Sequence, residues 1–169
     1  CIRDRTILGV SALPTSHELN VGMVGMHGNY GPNLLTNECD LLVAIGMRFD
    51  DRVTGDPKTY ANQAKIIHLD IDPAEINKNI KVEVPIIGDC KESLKLITEK
   101  IEKRSHEKWI SKFDDLMKIE FDKVINSDLN PSKKGLTMGE SIIAINEQTN
   151  GEAIICLLYT SDAADDLTR

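Results

Sequence analysis

Aromatic residues are scarce in this sequence: they make up 4% of its 169 residues, whereas hydrophobic residues as a whole make up 41%. Aliphatic side chains must therefore fill the core, and the chain is long enough to bury one. Apolar runs of the roughly 20 residues that a membrane-spanning helix needs are also lacking, because the longest runs resemble Leu41–Gly46 in length. The composition is that of an ordinary globular domain.

An excess of positive charge is lacking as well. The formal net charge is −7, which argues against a nucleic-acid surface built from clustered Lys and Arg. The four cysteines are far apart and form no Cys-x-x-Cys pair, so neither a zinc site nor a disulfide framework is expected. Cys39 and Cys90 are predicted to be reduced core residues.

The two ends of the chain do not read like protein. Cys1–Asp4 resembles a translated adaptor of the kind used in transposase-based sequencing libraries, and the residues from Cys156 onward resemble the reverse-strand read of one. Residues translated from an adaptor carry no information about the fold. We therefore expect residues 1–5 and 156–169 to be adaptor-derived, and authentic sequence to run from about Thr6 to Ile155.

Short apolar runs alternate with helix signals through the first hundred residues. The strands predicted from these runs are 6–10, 40–46, 64–71 and 82–88. Pro85 favours an edge position for the last of them. Asp72, followed by Pro73, and Asp89 each offer a carboxylate as the N-cap of a helix. This alternation predicts an α/β fold with a Rossmann-like parallel sheet and flanking helices.

The pattern changes after about residue 104. Ser105–Asn126 predicts one long amphipathic helix. Thr137 and Glu140 form a capping box that begins another helix, and Glu152–Ile155 predicts the start of a strand. We interpret 6–104 as part of a central domain, 105–135 as a helical linker, and 136–155 as the start of a second α/β domain.

Ligand-binding loops are expected at the carboxyl ends of the predicted strands, where glycine allows close approach and helix N-termini offer free N–H groups. Three such loops can be placed, at 46–52, 70–73 and 88–89. Asp70 is suited to accept hydrogen bonds from a ribose. No Gly-x-Gly-x-x-Gly motif occurs, and a fold alone does not fix a function. Nucleotide binding therefore stays one interpretation among several.

The segment Gly22–Gly28 is of a different kind. Its three glycines and two methionines predict a flexible, polarizable loop that can lie against a flat ring. Other interpretations stay open for the nearby charged residues: His27 bonded to local backbone, and Arg48 and Arg52 in a solvated cluster with acidic neighbours. His68 alternates within a predicted strand and is expected to be structural.

Three blocks of this sequence resemble the acetolactate synthases (acetohydroxyacid synthases), a family of thiamine-diphosphate-dependent enzymes. The blocks are Val24–Gly28, Gly46–Gly55 and Ile67–Pro73, and the spacing between them also agrees. The second block departs from the family pattern only at Met47. The resemblance covers essentially all of Thr6–Ile155 and implies the central domain of a three-domain large subunit.

The resemblance also implies cofactors. FAD lies across the central domain of these enzymes, whereas thiamine diphosphate and Mg²⁺ are bound between the other two domains. Arg52 and Met26 match residues that line the pocket for the second 2-oxoacid. By matching motif, the residues expected to contact FAD are Thr6, Ile7, Gly25, Met26, His27, Gly46, Met47, Arg48, Asp50, Val53, Asp70, Ile71, Gly88 and Asp89.

The activity implied is the condensation of two pyruvates, or of pyruvate and 2-oxobutyrate, with loss of CO₂ in branched-chain amino acid biosynthesis. The implied partners are further large subunits, in a dimer or tetramer, and a small regulatory subunit, with no nucleic acid and no membrane. The implied location is the bacterial cytoplasm or a plastid or mitochondrion. No catalytic residue or metal ligand of the family falls in this segment, so we expect it to be inactive alone.

Two other interpretations remain at this point. One is the central domain of another thiamine enzyme, such as a 2-oxoacid decarboxylase or an oxalyl-CoA decarboxylase. The other is a free-standing nucleotide-binding domain of similar fold. The joint occurrence of Arg48–Arg52 and Gly25–Gly28 favours the synthase.

Overall fold

The computed structural model describes residues 3–130 and 135–155. The chain divides into two compact units, one ending at Glu120 and the other beginning at Phe121. Each is described by itself below. Among the described residues, no helix is long and apolar enough to cross a membrane. The predicted adaptor residues 156–169, with the first two residues of the chain, lie outside the described part.

Residues 3–120 of the first unit form two parallel sheets. Strands β1 (Arg3–Arg5) and β2 (Asn20–Met23) pair with each other. Strands β3 (Leu41–Ile45), β4 (Lys65–Asp70) and β5 (Val84–Ile87) form the second sheet in the order β3-β4-β5. All pairs are parallel, as the predicted α/β fold requires, and β5 with its proline is an edge strand of this sheet.

Strand β4 is the most buried of the three because it has neighbours on both sides. Ile66 and Leu69 are 4% and 1% exposed. The main core forms on the face of the sheet that Ile66 occupies. Its buried members are Ala44, Phe49, Tyr60, Ala61, Ile66, Ile80 and Val82. With two aromatic rings among seven residues, aliphatic side chains fill most of this core, as the composition predicts.

The predicted strand at 6–10 is wrong, because Ile7–Ala12 forms a 3₁₀ helix. The cause is Arg5, whose guanidinium donates to the carbonyl oxygens of Val10 and Leu13 and to Asn20 Oδ1. These bonds fold the chain back on itself immediately after β1. The strand lies instead at Arg3–Arg5, within the five residues that the sequence assigns to an adaptor.

The described residues of this unit form four α-helices: α1 (Tyr30–Thr36), α2 (Asp51–Thr54), α3 (Cys90–Thr98) and α4 (Glu107–Glu120). The predicted cap of α3 is confirmed, since Asp89 Oδ1 accepts from Lys91 N at 2.9 Å and from Glu92 N at 3.0 Å. Asp72 also caps as predicted, accepting from Ala74 N, but the helix after it is a single 3₁₀ turn, Pro73–Glu75.

A second, smaller core attaches α4 to the rest of the unit. Phe113 of α4 is 4% exposed and packs with Val21 of β2 and Leu35 of α1. Trp109 and Leu116 cover this cluster, and Trp109 meets Phe113 edge to face at 5.7 Å between ring centroids.

The single α-helix predicted at Ser105–Asn126 is corrected by the structure. α4 begins at Glu107 and ends at Glu120, and a π-helical turn, Phe121–Ile125, follows it.

The second unit contains that π-helical turn, α5 (Asn126–Leu129) and α6 (Met138–Gln148). The predicted capping box of α6 is confirmed: Glu140 N donates to Thr137 Oγ1 at 3.1 Å, and Thr137 N donates to Glu140 Oε2 at 2.8 Å. The strand predicted at Glu152–Ile155 is wrong for the described residues, which have no strand there. Ile154 is 98% exposed, so none of the strands described above covers it.

Candidate functional site

The three predicted loops meet at the carboxyl end of the β3-β4-β5 sheet. Gly46 N, after β3, donates to Leu69 O of β4 at 2.8 Å, and Gly88 N, after β5, donates to Asp70 O at 3.0 Å. Gly46 has φ +60° and nothing within 4 Å of the position its Cβ would take. The strand ends therefore form an edge where a ligand can approach the backbone closely.

Asp70 is the carboxylate of this edge and is 7% exposed. Its Oδ1 accepts from Asp72 N at 2.9 Å, which turns the chain away from the strand. Its Oδ2 lies 3.7 Å from His68 Nε2, too far for a direct hydrogen bond. Asp70 thus keeps acceptor capacity on Oδ2, and Ile71 beside it is 71% exposed. Together they present an acceptor and an apolar contact at one strand end.

His68 is fully buried beneath this edge, consistent with the structural role expected for it. Its ring meets Phe49 edge to face at 5.1 Å between centroids. Phe49 is also buried, at φ +53°. Neither ring nitrogen of His68 has a hydrogen-bond partner among the described residues. His68 therefore fills the core, where its ring contributes packing.

Cys90 is a member of this edge that the sequence did not assign to it. The thiol is half-buried at the first position of α3, with Leu69 O 4.0 Å from Sγ. Burial raises the pKa of this thiol, the carboxylates of Asp70 and Asp89 raise it further, and a hydrogen bond with the Gly46 backbone acts in the opposite direction. The thiol is protonated at neutral pH and is a poor nucleophile there.

A second group of residues forms where α2 meets the loop Val24–Gly28, called the glycine loop below. Gly22 and Met23 of the predicted flexible loop belong to β2 instead. Met26 N donates to Arg52 O at 2.7 Å. Gly25, at φ +115°, lies so close that a Cβ there would be 2.9 Å from Arg52 O. The side chains of Met26 and Arg52 are both exposed, as is that of His27. The two residues predicted to line a substrate pocket are therefore joined through their backbones.

Two charged residues lie between these groups. Arg48 Nη2 lies 3.1 Å from Asp50 Oδ2, and the Arg48 side chain is 65% exposed, so this ion pair is worth little. Asp50 Oδ1, by contrast, is buried and has no partner among residues 3–130 and 135–155. Arg52 has no ion pair within that same range. The predicted solvated cluster thus holds for Arg48 and leaves the Arg52 guanidinium available.

The remaining predicted contacts divide among three places. Met47 packs against the main core, and Val53 is half-buried in α2 against Gly25. Thr6 and Ile7 follow β1, where Arg5 O accepts from Val24 N at 2.9 Å. They therefore adjoin the glycine loop rather than the β3-β4-β5 sheet. Ile7 is 69% exposed.

Two other features do not contribute to these groups. A shallow depression of about 440 Å³ is lined by Ser105, His106, Glu107, Lys108 and Trp109, none of which belongs to the loops described above. In the described part of the chain, no group of three or more His, Cys, Asp or Glu side chains is arranged to hold a metal ion.

Comparison with known protein families shows which family this chain belongs to. The central domain of thiamine pyrophosphate enzymes matches residues 5–97, which include both groups of residues described above. The chain belongs to this family. The resemblance to thiamine enzymes is confirmed, and the alternative of a free-standing nucleotide-binding domain of similar fold is not favoured by this match.

Within this family, the chain is similar in sequence to several acetolactate synthases. The chain is 41% identical over 145 residues to a probable acetolactate synthase large subunit of Methanocaldococcus jannaschii, covering 84% of this chain and 24% of the relative. It is 55% identical over 94 residues to the acetolactate synthase large subunit of Corynebacterium glutamicum, covering 56% and 15%. It is 38% identical over 161 residues to the chloroplastic acetolactate synthase of Arabidopsis thaliana, covering 89% and 22%. The chain thus spans at most about a quarter of these relatives' length.

Proposed function

We propose that this chain is a segment of an acetolactate synthase large subunit and forms its FAD-binding and acceptor-pocket module. The intact subunit would condense two pyruvates, or pyruvate and 2-oxobutyrate, with loss of CO₂. The family match and the names of the relatives support the enzyme class. The observation that carries the role of this segment is the hydrogen bond of 2.7 Å from Met26 N to Arg52 O, which joins the two predicted pocket residues.

The residues present fit a flavin dinucleotide. Gly46 and Gly88 leave the strand ends open, and Asp70 Oδ2 retains capacity to accept from a ribose hydroxyl. Exposed apolar side chains at Met26 and Ile71 suit the flat faces of rings. FAD can carry electrons, but the proposed condensation moves none overall, so its role here is structural. The predicted contacts in the loops at 25–27, 46–53, 70–71 and 88–89, with Thr6 and Ile7, belong to this proposal.

Arg52 supplies recognition of the acceptor in this proposal. A guanidinium offers a planar, charge-assisted pair of donors that matches a carboxylate, and 2-oxoacids carry one. The Arg52 side chain is exposed, and no carboxylate within the described residues pairs with it. Met26, 71% exposed next to it, offers an adaptable apolar surface for the acceptor's alkyl group.

The residues of this segment do not fit thiamine diphosphate and its metal ion. No Gly-Asp-Gly motif occurs in the sequence, and the described residues hold no metal-binding group of side chains. No step of the reaction is therefore assigned to residues here. In the proposal, the other domains of the intact subunit supply those ligands, and further large subunits and a small regulatory subunit complete the assembly.

A chimeric enzyme tests the proposal. Residues 5–97 of this chain replace their counterpart in the Corynebacterium glutamicum large subunit, which shares 55% identity with the chain over 94 residues. We expect the chimera to retain FAD and to form acetolactate, measured as acetoin after acid decarboxylation. A folded chimera that forms acetolactate without bound flavin would contradict the FAD role. A folded, flavin-loaded chimera without activity would contradict the assignment to this synthase.

A further inference from the structure

The side chain of Asn33 forms two hydrogen bonds with one residue of the glycine loop. Gly25 N donates to Asn33 Oδ1 at 2.8 Å, and Asn33 Nδ2 donates to Gly25 O at 2.9 Å. The primary amide thus pairs with both backbone groups of Gly25, as a neighbouring strand would. Side-chain bonds of this kind fix the backbone of a loop that lacks a ladder partner.

The contact continues from Gly25 to α2. The peptide after Gly25 places Met26 N 2.7 Å from Arg52 O, and Gly25 itself lies against the Arg52 carbonyl. A shift of Gly25 must therefore move Met26 relative to Arg52. Asn33 acts on Arg52 at one remove, because its amide bonds to Gly25 and Gly25 in turn contacts the Arg52 backbone.

The helix that carries Asn33 is firmly held. In α1, Pro32 and Leu35 are buried on either side of Asn33. Leu35 is 2% exposed and packs with Phe113 of α4. The amide of Asn33 is therefore presented from a packed helix, whereas the exposed Met26 lies within the loop. The packed helix α1 therefore fixes the position of Gly25 through Asn33, and the position of Gly25 fixes that of Met26.

We propose that Asn33 is a positioning residue for the acceptor pocket. By holding Gly25, it sets the separation between the Met26 side chain and the Arg52 guanidinium, and this separation determines which 2-oxoacid acceptor is favoured. The proposal rests on the function proposed above for Met26 and Arg52. Its chemical consequence is selection between acceptors that share a carboxylate and differ by one methylene in the alkyl group.

Asn29 serves a different part of the same loop. Its backbone N donates to Met23 O at 2.7 Å, and its Oδ1 accepts from Met23 N at 2.8 Å. These bonds close the base of the loop and do not reach Gly25. Asn37, the C-cap of α1, accepts from Ala61 N at 2.8 Å and donates to Asn33 O at 3.4 Å, with no contact to the loop. Asn37→Asp is therefore a matched amide-to-carboxylate change outside the loop.

The activity test uses the chimera with Asn33→Asp, which keeps an acceptor for Gly25 N and sets a second oxygen against Gly25 O. We expect the KM for the acceptor to rise about tenfold, as the loss of one or two buried hydrogen bonds implies. We also expect the product ratio between 2-oxobutyrate and pyruvate as acceptors to change. Decarboxylation of the first pyruvate by the flavin-loaded chimera should stay within about twofold. FAD affinity should fall less than acceptor affinity, because Gly25, Met26 and His27 are only part of the proposed flavin contacts. Asn37→Asp should change neither the acceptor KM nor the product ratio.

A second measurement does not depend on activity. In the 169-residue chain, amide hydrogen exchange at Gly25 and Met26 should accelerate about tenfold in Asn33→Asp, since the Gly25 pairing is weakened. Exchange at Leu69, in the central strand, should not change. Asn33→Leu, similar in size and uncharged, repeats the measurement if the carboxylate prevents folding.

The outcomes separate the two proposals. An inactive parent chimera would count against the proposed function, while exchange at Gly25 would still test Asn33. Unchanged exchange at Gly25 in a folded variant, or equal losses in both half-reactions and in FAD affinity, would overturn the positioning role. Unfolding of both Asn33→Asp and Asn33→Leu would also overturn it, because Asn33 would then support the fold as a whole.

Discussion

Arg52 is exposed and has no ion pair among the described residues, and in the proposed function it binds the acceptor. In the chimera, Arg52→Lys keeps the positive charge and removes the planar pair of donors. We expect the acceptor KM to rise about tenfold while decarboxylation of the first pyruvate persists, because a charge-assisted bond is worth about 1.5–3 kcal/mol. Steady-state kinetics of each half-reaction checks this.

The matched control is Arg48→Lys. Arg48 is exposed, pairs with Asp50 and is assigned to FAD in the proposal, so the same exchange should leave the acceptor KM of the flavin-loaded chimera within about twofold, whatever its effect on FAD affinity. Equal loss of both half-reactions in Arg52→Lys would show that Arg52 is a structural residue instead.

The reactivity of the Cys90 thiol is predicted to depend on pH. Burial and the carboxylates of Asp70 and Asp89 raise the pKa of its thiol. With the other cysteines replaced by serine, we expect iodoacetamide to react slowly at neutral pH, with a midpoint above that of an ordinary thiol. Asp89→Asn retains an N-cap for α3 and removes one charge, so it should lower that midpoint. A Cys90 midpoint below the ordinary thiol value would contradict the prediction.

The raised pKa of the Cys90 thiol also makes the stability of the folded protein depend on pH. A folded-state pKa above the unfolded value favours the neutral thiol in the folded protein. The associated stability is fully present below the unfolded thiol pKa and is lost as the pH rises through the folded one. Denaturant midpoints of the chain and of its Cys90→Ser variant, compared across this alkaline window, measure the loss.

At the scale of elements, the glycine loop depends on close approach. Gly25→Ala places a Cβ 2.9 Å from Arg52 O at φ +115°. We expect the free energy of unfolding to fall by about 2–5 kcal/mol, from backbone strain and overpacking together. Gly46→Ala is the control, at φ +60° with open space around its Cβ, and should cost about 1–2 kcal/mol. Urea denaturation compares the two, and equal losses would show that the contact with Arg52 does not matter.

The elements that the sequence predicts correctly depend on local signals. The apolar runs by themselves indicate that β3, β4 and β5 are strands, although only β4 is mostly buried. The caps at Asp89 and Thr137 lie within three residues of their partners. The failures depend on distant contacts. The 3₁₀ helix at Ile7–Ala12 follows from the bonds of Arg5, which no periodicity reveals.

In the candidate site, too, the residues marked by a local signal are predicted, whereas those brought together by distant contacts are not. Glycines after strands predict the edge formed by Gly46 and Gly88, because parallel strands bring their carboxyl ends together. The role of Asn33 could not be predicted, since its amide reaches Gly25 only after α1 has packed against the loop. Nor could the position of Cys90, since its neighbours come from three separate strand ends.

For the molecule as a whole, we predict that the 169-residue chain makes no acetolactate. In the proposed function Met26 and Arg52 contribute only to the acceptor pocket. The described residues hold no metal-binding group, and the sequence has no Gly-Asp-Gly motif. The assay supplies pyruvate, thiamine diphosphate, Mg²⁺ and FAD, and detects acetoin after acid treatment. Turnover that copurifies with the chain and disappears without thiamine diphosphate would contradict this prediction.

Flavin binding by the same chain provides a separate measurement. Because the predicted FAD contacts are divided between two sheets and short loops, we expect fluorescence titration to give a dissociation constant weaker than about 1 μM, a free energy of about −8 kcal/mol. The chimera, which supplies the rest of the subunit, is the control. Submicromolar binding by the 169-residue chain would show that this segment is a sufficient flavin site.

The attachment of α4 has an optical consequence. The chain contains a single tryptophan, Trp109, which covers the small core beside Phe113 and has Lys112 Nζ 5.2 Å from its ring centroid. Fluorescence excited at wavelengths selective for indole therefore comes from Trp109, which lies at the contact between α4 and the small core. Detachment of α4 from α1 would shift that emission to the red, and the protein thus carries an intrinsic fluorophore that reports this contact without any label.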